Sequence, residues 1–366
     1  MPITKIAVIG AGDISDVYLK NLTQLYSEIS VVGIYSRTAD RARAQADRYG
    51  IPRVYGTLEE LLDDSSTSIV LNLTPPQEHF ALSMKCLEAR KHVYTEKAMA
   101  ATLEQGRILL ETARKNHLTI CGAPDTFLTA GYQTLRKLAD DGWIGKVTGA
   151  TVSVMLRGHE AWHKNPAFFY REGGGPMMDM GVYPLTALVN LFGSVTSVAG
   201  MCSMAFTERT ITSQPLYGTK IQVETPTQIM GLLRFDNGVT ASIITGFDSC
   251  AGLQNQMMIY GTQGALRMSA YGGPVSLLQP DRGEFLEMPL LFPYPKHVHG
   301  LGLADQASAI EKGRKPRASG ELILHVLEVM KAIERSGISG EFIEIASRVE
   351  RPNPMKEPAL LYVFDE

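Results

Sequence analysis

The sequence has little of several features that would assign it to a specialised class. Its four cysteines in 366 residues are too few for a disulfide scaffold, and their spacing matches no metal-binding motif. Lys and Arg total 35 against 38 Asp and Glu, so no basic excess favours nucleic acid or an anionic membrane surface. No apolar run has the length of a membrane span, and no signal-peptide pattern opens the chain. These absences predict a reduced, cytoplasmic protein that binds neither nucleic acid nor membrane.

What is present is an ordinary globular composition on a chain long enough for two cores. Hydrophobic residues make up 45% of the sequence and charged residues 20%. A chain of 366 residues exceeds the size at which a single hydrophobic core stops growing. We therefore predict two domains, over residues 1–122 and 123–366.

The N-terminal stretch has the pattern of a strand, a tight glycine turn and a helix. A short apolar run ends in Gly10-Ala11-Gly12, after which apolar residues recur at helical spacing. Gly10 permits the turn, and Gly12 leaves room for a pyrophosphate beside the helix start. Ser15 replaces the third glycine of the G-x-G-x-x-G fingerprint, and a turn without a ligand is the alternative. The residues predicted to bind a dinucleotide here are Gly10, Gly12, Asp13 and Ile14.

Strands and helices alternate through the first third of the chain and give way to long strands after it. The alternation predicts a doubly wound parallel sheet, a Rossmann fold, whose ligand lies beyond the carboxyl ends of the strands. Capping-box spacing at Thr57 and Thr102 marks two of its helix starts. Beyond residue 122, the clearest turn signal is the hairpin Asp236-Asn237-Gly238. The second domain is predicted to be α+β, with a large, open, mostly antiparallel sheet whose uncovered face another subunit would cover.

The end of the second predicted strand indicates which nicotinamide cofactor the first domain prefers. An acidic residue there would bind the ribose 2′-hydroxyl and repel a 2′-phosphate. The sequence instead has Ser36, Arg37 and Thr38, with Arg41 on the helix that follows. Hydroxyls and guanidinium groups suit a 2′-phosphate, so NADP is predicted, with NAD possible. In the alternative interpretation, the arginines only form a solvated helix start.

Two further segments follow predicted strands at the ligand end of the sheet. Thr74 and Pro75, with His79 shortly after, are predicted to hold a rigid loop against the cofactor; a plain helix-start turn is the alternative. Glu96-Lys97 closes the fourth strand. A lysine beside a nicotinamide ring can supply positive charge or a proton to a substrate oxygen, although such a pair is often a surface ion pair.

A third segment enters a helix of the second domain. It runs from Gly173-Gly174-Gly175 to Tyr183, and Asp179 and Tyr183 are spaced to share one helix face. Both are candidate catalytic residues. The alternatives are a helix cap for Asp179 and a packed aromatic ring for Tyr183.

Together these segments resemble the glucose–fructose oxidoreductase, inositol dehydrogenase and MocA family of nicotinamide-dependent oxidoreductases. The resemblance rests on the glycine turn, the Thr-Pro-x-x-x-His segment, Glu96-Lys97 and the Gly-Gly-Gly…Asp-x-Gly-x-Tyr run, and it covers nearly the whole chain. The family usually has Pro where this chain has Ala98, and it has His in many members and Tyr in others at the position of Tyr183.

The resemblance implies an NAD(P)-dependent dehydrogenase or reductase that acts on a secondary alcohol or ketone of a sugar or polyol. It also implies a dimer or tetramer formed through the C-terminal sheet. Lys97 would lie near the nicotinamide, with Asp179 and Tyr183 across from it, and Lys97 would stabilise the Tyr183 phenolate. A glycosidase-like enzyme with a recycled cofactor and a non-catalytic nucleotide sensor are the alternatives.

Substrate contacts are predicted from the cleft side of the second domain. The candidate residues are Asp125, His159, Trp162 and His163. The loop from His159 to His163 matches H-E-x-x-H literally, but Gly158 and Pro166 leave little room for the helix that a zinc site needs. No metal is predicted, because this helical context is missing. Hydrogen-bonding and aromatic groups of this kind suit a sugar.

Overall fold

A computed structural model describes residues 3–250, 255–294 and 299–356 of the chain. Its helices are, in chain order, α1 (Asp13–Gln24), α2 (Ala39–Tyr49), α3 (Leu58–Leu62), α4 (Pro76–Glu88), α5 (Leu103–Lys115), α6 (Ala130–Asp140), α7 (Val182–Phe192), α8 (Leu301–Glu311) and α9 (Gly320–Ser339). A π-helical turn, Met177–Gly181, leads into α7. Within these described ranges, no helix combines the length and the apolar character that a membrane crossing needs.

The strands divide between a parallel sheet early in the chain and a larger sheet after it. They are β1 (Thr4–Ile9), β2 (Ile29–Tyr35), β3 (Ile69–Asn72), β4 (His92–Thr95), β5 (Ile120–Gly122), β6 (Val147–Met155), β7 (Val195–Ser203), β8 (Glu208–Thr210), β9 (Lys220–Gln222), β10 (Gln228–Phe235), β11 (Thr240–Gly246), β12 (Gln256–Gly261), β13 (Gly264–Ser269), β14 (Val275–Leu278), β15 (Leu286–Met288) and β16 (Ile343–Glu344).

The chain forms two compact units. The first takes its described residues from Met1–Asp125 and Val298–Leu327, and the second from Thr126–His297 and Glu328–Glu366. The first unit therefore contains α8 and the start of α9, which lie in the second of the two domains predicted from the sequence. The split into 1–122 and 123–366 remains a prediction.

The sheet of the first unit has the strand order β2-β1-β3-β4-β5, and all its neighbours are parallel. All four residues of β3 are buried, as expected for a parallel sheet that is covered on both faces. One face packs Val70 and Val93 against Leu109 of α5. Because β1, β3 and β4 are adjacent and parallel, their carboxyl ends meet at one edge of the sheet. This arrangement confirms the predicted doubly wound fold.

The second unit contains a mixed sheet with the order β15-β14-β13-β12-β6-β11-β10-β7-β16 in the described residues. All its pairs are antiparallel except β6 with β11, so the predicted α+β class is confirmed. Burial alternates along β10, where Ile229 and Leu233 are buried and Met230 and Leu232 are exposed. One face is therefore covered and the other is open. On the covered face, a Cβ at Gly200 would lie 2.1 Å from the carbonyl oxygen of Ile333, so α9 packs directly on β7.

Local signals identified the element boundaries well. The side chains of Thr57 and Thr102 accept hydrogen bonds from the backbone N–H groups three residues later, which confirms both predicted caps. The predicted hairpin joins β10 to β11, and Gly238 at its turn has a φ of +85°. A positive φ at this position favours glycine, as expected for such a turn.

Candidate functional site

The glycine turn after β1 has the geometry of a pyrophosphate cradle. Gly10 has a φ of +106°, and a Cβ there would lie 2.8 Å from the carbonyl oxygen of Leu73. Gly12 is the residue before α1, and no atom lies within 4 Å of the place where its Cβ would be. The open space adjoins the N-terminus of a twelve-residue helix, where unpaired N–H groups favour an anion. The turn therefore fits a dinucleotide, and Asp13 and Ile14 open the helix at that point.

The departure of this turn from the glycine fingerprint has a local explanation. Ser15 stands where the third glycine would be, and its side chain is fully buried. Its hydroxyl donates a 2.6 Å hydrogen bond to the carbonyl oxygen of Gly12. The serine thus stabilises the turn from within, and it leaves the space above Gly12 open.

The residues predicted to choose the cofactor surround the end of β2 and the start of α2. The backbone N–H of Thr38 donates to the hydroxyl of Ser36 at 3.3 Å. Arg37 is exposed and lies 3.4 Å from the Glu78 carboxylate. Arg41 lines a cleft of about 540 Å³ together with Gly12. The structure therefore gives Arg41, rather than Arg37, a place beside the glycine turn.

His79 connects two of the predicted cofactor segments. It is fully buried in the first turn of α4, and its Nε2 lies 2.7 Å from the carbonyl oxygen of Thr74. Its Nδ1 lies 2.7 Å from the carbonyl oxygen of Ala98. The ring therefore holds the Thr74–Pro75 loop at a fixed distance from the segment that carries Lys97.

Glu96 fixes the backbone of Lys97. One of its carboxylate oxygens accepts a 2.6 Å bond from the hydroxyl of Tyr18, and the other accepts a 3.0 Å bond from the backbone N–H of Lys97. Tyr18 is fully buried on α1, and this burial, with Glu96 as a second cause, raises its pKa well above the usual value. Glu96 is thus an anchor inside the first unit.

Asp125, a predicted substrate ligand, has backbone partners in the first unit. Its Oδ2 accepts hydrogen bonds from the N–H groups of Gly300 at 3.2 Å and Gly302 at 2.9 Å. These groups belong to the start of α8, so the carboxylate caps that helix. Only 2% of Asp125 is exposed. A role in substrate binding stays a prediction.

In the second unit, Asp179 lies in the π-helical turn and Tyr183 lies in the first turn of α7. The predicted helix over 179–191 therefore starts with a wider turn than expected. Tyr271, which was not among the residues predicted for the site, lies near both of them. Burial, with the charges of Asp179 and Tyr183, raises the pKa of Tyr271 above its usual value. The only sequence signal for Tyr271 is the Gly272-Gly273 turn that follows it.

His159 contacts Asp179 directly. Its Nε2 lies 2.8 Å from Oδ2 of Asp179, and both side chains are largely buried. Trp162, by contrast, is 65% exposed, so its indole is accessible on the surface of the second unit. His163 accepts a 3.1 Å bond at Nδ1 from the backbone N–H of Asn165. The three residues of one predicted substrate loop thus have different environments.

The middle of the H-E-x-x-H segment belongs to a buried ion-pair network. The Glu160 carboxylate lies 2.6 Å from the guanidinium of Arg209, which also binds Asp248. The Tyr170 hydroxyl donates to Glu160. The carboxylate of Glu160 is therefore already paired with the guanidinium of Arg209. Across the described part of the chain, no group of three or more His, Cys, Asp or Glu side chains could hold a metal ion.

The fold and these segments define the class of the protein, and comparison with known families agrees. Residues 4–122 match the model of the oxidoreductase family with an NAD-binding Rossmann fold. Residues 132–267 match the GFO/IDH/MocA C-terminal domain. The chain belongs to this family of NAD-binding oxidoreductases, as the sequence motifs predicted.

Particular relatives extend over most of the chain. The chain is 27% identical over 342 residues to trans-1,2-dihydrobenzene-1,2-diol dehydrogenase of Bos taurus, covering 89% of this chain and 96% of that protein. It is 27% identical over 322 residues to 1,5-anhydro-D-fructose reductase of Ensifer adhaerens, covering 86% of this chain and 91% of the relative. A structure of levoglucosan dehydrogenase with NADH and L-sorbose shares the fold with a TM-score of 0.82 at 19% identity, covering 95% of this chain and all (100%) of that one.

Proposed function

We propose that this protein is an NADP-linked dehydrogenase or reductase that acts on a secondary alcohol or ketone of a sugar or sugar-like polyol. The single observation that carries the proposal is the convergence of three segments at one sheet edge. The glycine turn, the Thr74–Pro75 loop and Glu96-Lys97 follow β1, β3 and β4, which are adjacent parallel strands. The names of relatives, a diol dehydrogenase and an anhydro-fructose reductase, support the substrate class.

The first unit would hold the cofactor through its own backbone and cationic groups. The N–H groups at the start of α1 would bind the pyrophosphate in the space above Gly12. Arg41, in the cleft next to Gly12, would pair with the 2′-phosphate, because a guanidinium binds phosphate oxygens in a planar fork. When bound, the nicotinamide supplies or accepts the hydride.

The proton at the substrate oxygen would be handled by Lys97 and Tyr183. A tyrosine is a poor base near neutral pH, because its usual pKa is about 10. A nearby ammonium group stabilises the phenolate and so improves the base. We propose that both groups contact the substrate oxygen and that Asp179 orients them. Glu96 and His79 would keep Lys97 in place through the hydrogen bonds that they form in the first unit.

A panel of sugars and polyols tests the activity, with NADP⁺ and NAD⁺ compared for each compound by nicotinamide absorbance. We expect net turnover of free cofactor with at least one compound, and a lower KM for NADP⁺ than for NAD⁺. Turnover of the sugar with no net change in cofactor would instead indicate a recycled cofactor. Cofactor binding without any reaction would indicate a sensor and would contradict the proposal.

The role of Lys97 is tested in the same assay. Lys97→Met should abolish the absorbance change while cofactor binding, measured by fluorescence titration, stays close to wild type. Lys220→Met is the matched control, because Lys220 is exposed and its ion pair among the described residues is with Glu208, on a short hairpin of the second unit. Equal activity of the Lys97 and Lys220 variants would contradict the proposed role.

We also propose that the open face of the large sheet joins two or more subunits. Met201 is 75% exposed, Leu232 59% and Phe342 75%, and such a patch of large apolar side chains is typical of an interface. A shallow depression of about 430 Å³ on this face is lined by Leu232, Tyr260 and Phe342. Light scattering should show a dimer or tetramer, and Leu232→Asp should shift it toward monomer. A wild-type monomer would contradict this interface.

A further inference from the structure

In the second unit, the candidate catalytic residue Asp179 makes a short side-chain contact with His159. The Nε2–Oδ2 distance is 2.8 Å, and the two side chains are only 6% and 12% exposed. A hydrogen bond to a carboxylate at this distance and burial is among the stronger polar contacts in a protein. His159 therefore determines where one carboxylate oxygen of Asp179 lies.

The surroundings of the His159 ring indicate which nitrogen carries the proton. Its centroid lies 3.9 Å from that of Phe169, 4.7 Å from that of Phe247 and 5.2 Å from that of Trp162. Nδ1 is buried and has no hydrogen-bonding partner among the described residues. A proton on Nδ1 would therefore be a buried donor without an acceptor, which is costly. A proton on Nε2 is donated to Asp179.

The backbone of His159 is also held by a hydrogen bond. Its N–H donates a 3.0 Å bond to the hydroxyl of Tyr170, which in turn donates to Glu160. Glu160 is paired with Arg209 at 2.6 Å. The H-E-x-x-H segment therefore has a structural role in place of a metal site. Its glutamate, Glu160, holds the loop in position, and its first histidine, His159, contacts Asp179 from that loop.

We infer that His159 is a positioning residue that acts through Asp179, to which it donates a hydrogen bond through Nε2. It orients the carboxylate, and this positioning role is proposed in place of the substrate contact that the sequence predicts for His159. The inference rests on the proposed function, in which Asp179 belongs to the reacting site. The contact itself can be tested without any substrate.

The first experiment is spectroscopic and uses the full chain labelled with ¹⁵N-histidine. Long-range ¹⁵N–¹H spectra, with the ring signals assigned through His159→Gln, should show Nε2 protonated and Nδ1 unprotonated near neutral pH. Asp179→Asn should shift the ring signals of His159. A protonated Nδ1, or ring signals unchanged by Asp179→Asn, would overturn the inference.

The second experiment uses two variants of His159 that differ in how far the donor nitrogen lies from Cβ. Gln carries its amide nitrogen as many bonds from Cβ as the Nε2 of histidine, whereas Asn carries it only as far as Nδ1. With the fastest sugar of the panel and NADP⁺, His159→Gln should keep kcat close to wild type. His159→Asn should lower kcat by about 10- to 100-fold, the loss of a hydrogen bond to a charged group, with KM for NADP⁺ unchanged.

Equal losses of kcat in the Gln and Asn variants would overturn the inference. A purely structural role of His159 would not depend on whether the donor nitrogen lies at the Nε2 or at the Nδ1 position. If no sugar in the panel reacts, or if Asp179→Asn keeps full activity, the proposed function fails, and the spectra still decide whether His159 holds Asp179. The two failures are therefore distinguishable. Near-UV circular dichroism and NADPH binding confirm that each variant is folded.

Discussion

Replacement of Gly10 by alanine tests the glycine turn at the point where it is most constrained. The residue has a φ of +106°, which L-residues rarely adopt. A Cβ there would lie 2.8 Å from the carbonyl oxygen and 2.9 Å from the carbonyl carbon of Leu73. Both atoms belong to the backbone of the residue that follows β3, so no side-chain rotation relieves the contact. The turn or the strand must move.

The expected cost follows from two contributions. A non-glycine residue in a disfavoured backbone conformation costs roughly 1–3 kcal/mol. Overpacking by one methyl group in a close-packed region costs about 1–3 kcal/mol more. We therefore expect Gly10→Ala to lower the free energy of unfolding by roughly 2–6 kcal/mol. For a unit of this size, at roughly 2–4 °C per kcal/mol, the melting temperature should fall by roughly 4–24 °C.

Gly12→Ala is the matched control, two residues further along the same turn. Gly12 has an ordinary φ of −85°, and nothing lies within 4 Å of its Cβ position. The free energy of unfolding should stay close to wild type. The methyl group would, however, occupy the space proposed for the pyrophosphate. We expect the Kd for NADPH to rise at least about tenfold, or about 1.4 kcal/mol.

Two measurements separate these effects: thermal unfolding of both variants without cofactor, and fluorescence titration of Gly12→Ala with NADPH. A melting temperature of Gly10→Ala equal to wild type would refute the steric reasoning. Unchanged NADPH affinity in Gly12→Ala would refute the placement of the pyrophosphate above Gly12.

Two further predictions concern stability. Arg209→Met should destabilise the second unit by about 3–5 kcal/mol in chemical denaturation, because Glu160 and Asp248, whose side chains are 15% and 12% exposed, would lose their shared cation; a loss below about 1 kcal/mol would contradict this. Hydrogen bonds from the hydroxyls of Ser66 and Tyr55 lower the pKa of Asp64 to about 2. A lowered folded-state pKa stabilises the protein above the usual aspartate pKa, and the contribution is lost as the pH falls through about 2. Asp64→Asn should therefore cost about 1–2 kcal/mol at neutral pH and much less at pH near 2, as measured by urea unfolding.

Most of the helices and strands, and the sheet edge where the motifs of the first unit meet, could be predicted from the sequence. The signals that determine them lie within a few residues of each element. A capping threonine such as Thr57, a glycine turn or an Asn-Gly hairpin determines its own conformation through atoms a few residues away. Alternating strands and helices then restrict the topology to a doubly wound sheet. The convergence of Gly10, Thr74 and Lys97 at one edge follows from that topology alone.

The partners of the polar side chains could not be predicted in the same way, because they are distant in sequence. Asp125 caps α8 through Gly300 and Gly302, and no local pattern near Asp125 indicates this. Glu160 pairs with Arg209, whose position on β8 no motif marks. A literal zinc motif and a buried ion pair therefore look the same in the sequence.

Short-range periodicity also missed a change of helix type. Spacing alone predicted an ordinary helix from Asp179, whereas the chain forms a π-helical turn before α7. Such turns depend on tertiary packing and are frequent at functional sites. The contact of His159 with Asp179 lies at this turn, so the feature that the periodicity missed is the one that carries the new inference.

A double-mutant cycle on hydride transfer tests the central claim most directly. Single-turnover rates would be measured for wild type, Lys97→Met, Tyr183→Phe and the double variant, with the panel's fastest sugar and saturating NADP⁺. If both groups act on one proton at the substrate oxygen, their effects are strongly non-additive, and the double variant should be no slower than the slower single variant. Losses that multiply would show that the two side chains act independently and would contradict the account.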